Sequence, residues 1–308
     1  MLKVYPQIED DLFIRLFHKG AKSQWTADDV EWDIPLQFST EQGRALAHML
    51  TPVYLGEQSA MIGASAALPQ MAMSGETSSQ IYLASFLMDE ARHFEVLTRF
   101  YQRLEEDPLS IRQMPEMLRY HHRLRQGDRV DWVWGILISD IFAKNFYQIF
   151  SRSQPDALFG KMSGRILIDE SRHQAFAEHY LKRAIPTLDT ERLVALMSMR
   201  DDLLRTMDGM YGRLKDEADL LNIDGRLFLD NLREEIEYKA QRIGLSGGRP
   251  PSNQDKGSSR RVFRGLGQGA KAIAQDVSEK FQSFTTGRCD TCFVSLLCRT
   301  RLITAAHC

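Results

Sequence analysis

Cysteine is missing from the first 288 residues of this 308-residue chain. That absence excludes a thiol nucleophile, a thiolate metal ligand and a disulfide from everything before Cys289. All four cysteines, Cys289, Cys292, Cys298 and Cys308, fall in the last twenty residues. Charge of one sign is also missing. The 39 Lys and Arg against 41 Asp and Glu leave a net −2, so bulk charge calls for neither nucleic acid nor an anionic membrane as partner. No run approaches the roughly 18 apolar residues of a transmembrane span. The opening residues, "MLKVYPQIEDDLFIRLFHKG", mix acids and bases and lack the apolar segment of a secretory leader, so a cytoplasmic protein is expected. Strand-like alternation is essentially absent too, which leaves an all-α fold.

What is present is helical periodicity from about residue 40 to 243. "TEQGRALAHMLTPVYLGEQSAMIGASAAL" (40–68) repeats apolar residues at three- and four-residue steps, with a break expected at Pro69 and Gly75 and with Ser74 and Thr77 as capping candidates. Helices are expected over 80–104 and, more polar, over 111–126. The segment 130–150 is apolar nearly all round, the mark of a central helix. Further helices fit 157–185, 188–215 and 224–243. Residues 1–243 thus read as one helical domain. Gly, Ser and Pro make 244–260 a flexible linker. Beyond it, 261–308 holds a basic amphipathic helix (an apolar stripe over 261–285) and the cysteine-bearing end. From 241 to 308, eleven Lys and Arg face four Asp and Glu.

Against that background, two stretches stand out. "MDEARH" (88–93) and "IDESRH" (168–173) each place Asp-Glu-x-x-His inside an apolar helix. Charged residues are seldom fully buried unless paired or bound to metal. Three residues turn a helix by about 300°, so the Glu and His of each motif share one face. A carboxylate beside an imidazole suits a first-row metal such as iron or manganese. A dinuclear carboxylate bundle needs Glu-x-x-His on two helices and one more carboxylate on each of two others. Glu57 lies mid-helix 33 residues before Glu90, a spacing that brings two antiparallel helices level. Asp140 lies centrally in 130–150, 30 residues before Glu170. The expected ligands are therefore Glu57, Glu90, His93, Asp140, Glu170 and His173, with a plain ion pair between Asp140 and Lys144 as the competing reading. Met49, Met61, Met71, Met73 and Met88 read as core filling. His121 and His122 read as surface residues without partners, and His179 as structural.

These residues, with "GEQSAMIGASA" (56–66) and the two motifs, resemble the ferritin-like di-iron carboxylate superfamily. Within it they look most like the catalytic subunits of bacterial multicomponent monooxygenases, over roughly residues 45–180. N-oxygenases, R2-like ligand-binding oxidases and ribonucleotide reductase small subunits share that core. The resemblance implies a ferritin-like four-helix bundle with additional helices, holding two Fe ions or a Mn/Fe pair, with O2 as co-substrate. It also implies that Asp89 and Asp169 each accept a hydrogen bond from the ligand His of the opposite motif, with Arg92 and Arg172 neutralising them. Simple helix salt bridges by the two arginines are the alternative.

The sequence departs from those families at telling positions. Leu97 stands where the reductases carry a radical Tyr, and Gly135 where the ligand-binding oxidases carry a cross-linked Tyr. Lys144 and Asn145 stand where the monooxygenases carry Thr and Asn. Lys144 at the pocket wall would donate a proton or bind a carboxylated substrate; pairing with Asp140 is the plainer reading. The expected function is an O2-dependent oxygenase or oxidase that hydroxylates, N-oxygenates or desaturates a small organic substrate. It would act as a homodimer, with electrons from a reductase or ferredoxin and no nucleic-acid partner. The competing reading is a ferritin- or rubrerythrin-like protein that oxidises iron or scavenges peroxide.

Overall fold

Residues 6–153 and 156–245 are described by the computed structural model, and among them nine α-helices occur without a strand. The 261–285 stripe, the four cysteines and all of the 244–260 linker except Gly244 and Leu245 lie outside the described residues. No helix among those described is long and apolar enough to cross a membrane.

The first helix, α1 (Asp11–Lys22), was not expected from periodicity. Asp10 caps it by accepting from the Leu12 and Phe13 amides, and it buries Phe13, Leu16 and Gly20. Next comes α2 (Thr40–Met73), which begins on a reciprocal cap between Ser39 and Gln42. It does not stop at Pro69 as expected, and it contains both Pro52 and Pro69. A mid-helix proline costs about 3 kcal/mol. The buried row Ala60, Ala64, Ala67 and Met71 nonetheless continues past it at helical steps, so packing outweighs the lost hydrogen bond. Ser74 then ends α2, and α3 (Thr77–Leu104) follows with Glu76, not Ser74 or Thr77, at its N-cap. The Glu76 carboxylate accepts from Arg129 and Tyr180, while Glu9 accepts from the Ser78 amide and so satisfies an open N–H of the first turn of α3.

After α4 (Pro115–Leu124), shorter than expected, come α5 (Arg129–Ser153) and α6 (Ala157–Ala184). The α2–α3 and α5–α6 hairpins pack together through α2 on α5 and α3 on α6, giving the four-helix core. Helix α1 covers α3 and α6. The single helix expected over 188–215 is followed by a separate short one, giving α7 (Thr190–Arg213) and α8 (Lys215–Leu220), before α9 (Gly225–Ile243). Helix α9 lies on α5 and α6, and α7 packs against α4 and α5. Helix α5 is buried nearly all round, as expected of a central helix. Of the expected core methionines, Met49 and Met71 are buried, whereas Met73 and Met88 are 90% and 59% exposed. Both of the latter point off the outer faces of their helices.

One close approach sets the distance between α2 and α5. A Cβ built on Gly63 would sit 1.7 Å from Trp132 Nε1, so only glycine lets the indole lie against the α2 backbone. Gly63→Ala is expected to destabilise the fold by about 1–3 kcal/mol through overpacking. Urea unfolding of the two proteins checks this, and an unchanged midpoint would mean that Trp132 moves aside freely.

Candidate metal centre

The two Glu-x-x-His motifs face each other across the bundle. Helix α2 supplies Glu57, α3 supplies Glu90 and His93, α5 supplies Asp140, and α6 supplies Glu170 and His173; all six are buried. Each offers one ligand atom to one of two groups whose atoms lie within 4.8 Å of one another. The first group is Glu57, Glu90, His93 and Glu170, and the second is Asp140, Glu170 and His173. Glu170 belongs to both because its two oxygens diverge. Its Oε1 is 3.4 Å from His93 Nδ1, and its Oε2 is 3.4 Å from His173 Nδ1. Glu90 also reaches both sides: it sits in the first group, and its Oε1 lies 3.1 Å from His173 Nδ1. Glu57 Oε2 is 3.5 Å from His93 Nδ1.

The imidazoles are oriented from behind, and crosswise. His93 Nε2 lies 3.2 Å from Asp169 Oδ2, and His173 Nε2 lies 3.3 Å from Asp89 Oδ2. A proton on each Nε2 turns the Nδ1 lone pair inward, the arrangement that fixes a metal-binding tautomer. Arg92 donates to both aspartates, and Arg172 bridges them at 2.9 Å to Asp89 and 2.7 Å to Asp169. Two acids, two arginines and two imidazoles therefore form one buried network, a richer arrangement than simple helix salt bridges. The N-terminal segment completes it. The Trp25 indole donates to Asp169 at 2.8 Å and lies under the Arg92 guanidinium, and Gln24 accepts from Arg92 at 2.7 Å. Trp25 and Gln24 carry no motif that sequence reasoning could have used.

Electrostatics follow from this geometry. Burial would raise Asp89 and Asp169, but the facing imidazoles and Arg172 hold both carboxyls well below the usual range. Their contribution to stability is present above the ordinary carboxylate pKa and is lost only as pH falls below it. Burial and the neighbouring carboxylates push Glu90 and Asp140 well up. Burial would also raise Glu170, but the two imidazoles draw it down to about 2. His93 and His173 are held well above the ordinary imidazole value, against burial, His93 by the carboxylates around it and His173 by Tyr82, Glu170 and Asp89.

The donor set fits a pair of metal ions. His93 Nδ1, His173 Nδ1, Asp140 Oδ2 and Glu170 Oε2 are buried atoms without a hydrogen-bond partner, and all four belong to the cluster. Unpaired buried polar atoms are costly and uncommon, so four on one cluster mark a site built for cations.

Lys144 and Asn145 are placed elsewhere than expected. Lys144 pairs with Glu235 of α9, and Asn145 donates to the same carboxylate at 3.0 Å. Neither lines the cavity described below. One turn after Asp140, Lys144 is carried to the rim of α5, where α9 supplies a partner. The competing reading, a Lys144–Asp140 ion pair, is corrected too, because the partner is Glu235. Lys144→Met is expected to leave metal content unchanged and to cost about 1 kcal/mol or less, because the pair is partly exposed; metal analysis with a melting curve checks both. His121, expected to be alone, bonds to Ser59, and His122 contacts Gln126. His179 is structural, bonded to Asp10 at 2.8 Å. Leu97 is buried in the core. A Cβ at Gly135 would meet the Leu124 and Met199 side-chain ends, so a larger residue there would have to displace them.

A cavity with about 470 Å³ of empty space, part of it open to solvent, reaches the cluster. Glu57, Glu90, Asp140 and Glu170 form one wall. Val53, Ala60, Met117, Ile136, Phe142, Met207 and Met210 make most of the rest apolar, and Tyr120 and Ser139 add one polar spot. Two more phenols sit close by, unmarked in the sequence. Tyr147 and Tyr82 are buried with no partner for their hydroxyls, and both are pushed up by burial. For Tyr147 the charges of Glu57, Glu170 and Glu90 add to the effect.

Fold and site together define a ferritin-like helical bundle with a buried carboxylate–histidine cluster that fits a dimetal centre. Solved structures of R2-like ligand-binding oxidases with Mn/Fe cofactors share the fold. One, with an aerobically reconstituted Mn/Fe cofactor after a long soak, has a TM-score of 0.61 at 17% identity, over 77% of this chain and 94% of that one. Two variants, one reconstituted anaerobically and one aerobically, give TM-scores of 0.64 and 0.63 at 17% and 16% identity, each over 77% of this chain and 95% of the other. No family profile matches the sequence, and no curated protein is similar to it.

Proposed function

We propose that this protein is a non-haem dimetal oxidase or oxygenase that uses O2 to oxidise a small, largely apolar organic substrate. The observation that carries the reading is the four unpaired buried atoms of the cluster at the wall of an apolar cavity. Glu57, Glu90, His93 and Glu170 would hold one ion, and Asp140, Glu170 and His173 the other, with Glu90 also within 3.1 Å of His173. Two irons, or one manganese and one iron, supply the redox chemistry with O2 when bound. The chain's own residues do the rest. Asp89 and Asp169 keep the imidazoles in the ligating tautomer, and Arg92 and Arg172 keep those acids ionised. The apolar wall excludes water and orients the substrate against the carboxylate face. Metal ions compete with protons for the carboxylates and imidazoles, so metal affinity is expected to rise with pH. Electrons come from an external donor, a reductase or ferredoxin. The largely apolar cavity beside the cluster favours organic oxidation over iron storage, which needs no such pocket.

The test is anaerobic loading of the metal-depleted full chain with Fe(II), or with Mn(II) plus Fe(II), followed by mixing with O2 in a stopped-flow spectrometer. Two metals per chain and O2 consumption faster than that of the free ions are expected. Fewer than two metals with both mixtures, or O2 uptake no faster than in buffer, refutes the proposal; the mixture that reacts identifies the metal pair.

A further inference from the structure

We propose that Tyr120 sets the specificity of the cavity and selects substrates that carry a hydrogen-bond donor, an alcohol or an amine, on an apolar body. This inference rests on reading the cavity as the substrate pocket of the dimetal centre.

The argument is one of proton counting. Ser139 has a single hydroxyl proton, and it goes to the Gly135 carbonyl one turn back, at 2.9 Å. Tyr120 Oη is hydrogen-bonded to the same Ser139 oxygen. Both bonds exist together in only one direction: Tyr120 donates to Ser139, and Ser139 donates to Gly135. The phenol is also the stronger acid of the two, which favours the same direction. Tyr120 and Ser139 both line the cavity. With its proton committed, the Tyr120 oxygen keeps a lone pair and offers an occupant acceptance alone.

The remaining wall sharpens the selection. No Lys, Arg or His is among the lining residues, while four carboxylates are. A substrate carboxylate would therefore find no protein cation in the cavity, and away from the metal ions it would be buried unpaired. An ether or ketone would set acceptor against acceptor at Tyr120. An O–H or N–H completes the relay from substrate through Tyr120 and Ser139 to the α5 backbone.

The test uses the metal-loaded full chain under anaerobic conditions, titrated calorimetrically with benzyl alcohol and benzyl methyl ether. The two share a ring and differ in the donor. Wild type is expected to bind the alcohol about tenfold more tightly, the worth of one buried hydrogen bond. Tyr120→Phe removes the preference. Ser139→Ala frees the Tyr120 proton to point into the cavity, which gives the ether oxygen a donor it lacked and shrinks the preference for the alcohol. A residue that merely packs does not change the ratio in this way, and Ser139→Ala decides the matter alone if Tyr120→Phe folds poorly. Equal affinities in wild type, no saturable binding of either compound, or an unaltered ratio in Ser139→Ala overturns the inference. Metal content of the same samples separates the two readings. Fewer than two metals with the preference intact defeats the dimetal proposal alone, and two metals without the preference defeats this one alone.

Discussion

Glu170→Ala is expected to abolish binding of both metals, with content falling from about two per chain to near zero while the far-ultraviolet helical signal persists. The reason is geometric. Glu170 is the residue common to both ligand groups, and its two oxygens each face a different imidazole. Removing it strips a ligand from each ion at once, and metal affinity depends on every ligand present. Glu57→Ala makes the control, since Glu57 belongs to the first group alone and its loss leaves the Asp140, Glu170 and His173 set intact. The expected contrast is near zero for one variant and about one metal for the other, read by elemental analysis after dialysis. Equal retention in both variants would mean that Glu170 does not bridge.

The second large effect belongs to Arg172, which touches no proposed ligand through its guanidinium. It is 2% exposed and ties Asp89 to Asp169. Arg172→Met keeps the bulk and removes the charge, leaving two buried carboxylates with Arg92 as their one remaining guanidinium partner. Breaking a buried pair in this way costs about 3–5 kcal/mol, which for a domain of this size lowers the melting temperature by roughly 10 °C. The acid side should shift as well. With Arg172 gone, the two carboxyls lose a cause of their depressed pKa, so acid unfolding begins at higher pH than in wild type. Metal affinity should fall about 10- to 100-fold because the imidazoles lose their fixed backing. A variant that melts and acid-unfolds like wild type would show that Arg92 alone suffices.

The candidate centre was legible where its residues obey helical spacing. Glu90 with His93, and Glu170 with His173, are three apart and so must share a face. Glu57 and Asp140 stand out as central acids on apolar helices. The crosswise pairing of Asp89 and Asp169 followed from the resemblance, and the two imidazole contacts match it. Other features carry no period. Trp25 and Gln24 reach the network from an irregular stretch after α1, and Tyr120, Ser139 and Tyr147 become part of the site through packing alone. Pro69 misled because a proline's local cost is visible in sequence, whereas the buried alanine row that overrides it needs α3 and α5 to be in place. Lys144 misled for a related reason. Its partner Glu235 is 91 residues away on α9, and no local pattern announces it.

The crosswise aspartate–histidine pairing also bears on the order of events during biogenesis. The hairpin of α2 and α3 carries half of the proposed ligands, and that of α5 and α6 carries the other half. Each half's histidine is steadied by the other half's aspartate, across sequence separations of 76 and 84 residues. Contacts that distant form late on a folding route, because closing long loops costs entropy first. Neither hairpin can therefore capture ions in earnest while the other is still being assembled. Cations would then be expected to bind a finished scaffold, so their stabilisation should appear as slower unfolding with little change in the rate of folding, which unfolding kinetics with and without metal would check. Which metals the protein acquires is then decided by a preformed cage drawing on the pool around it.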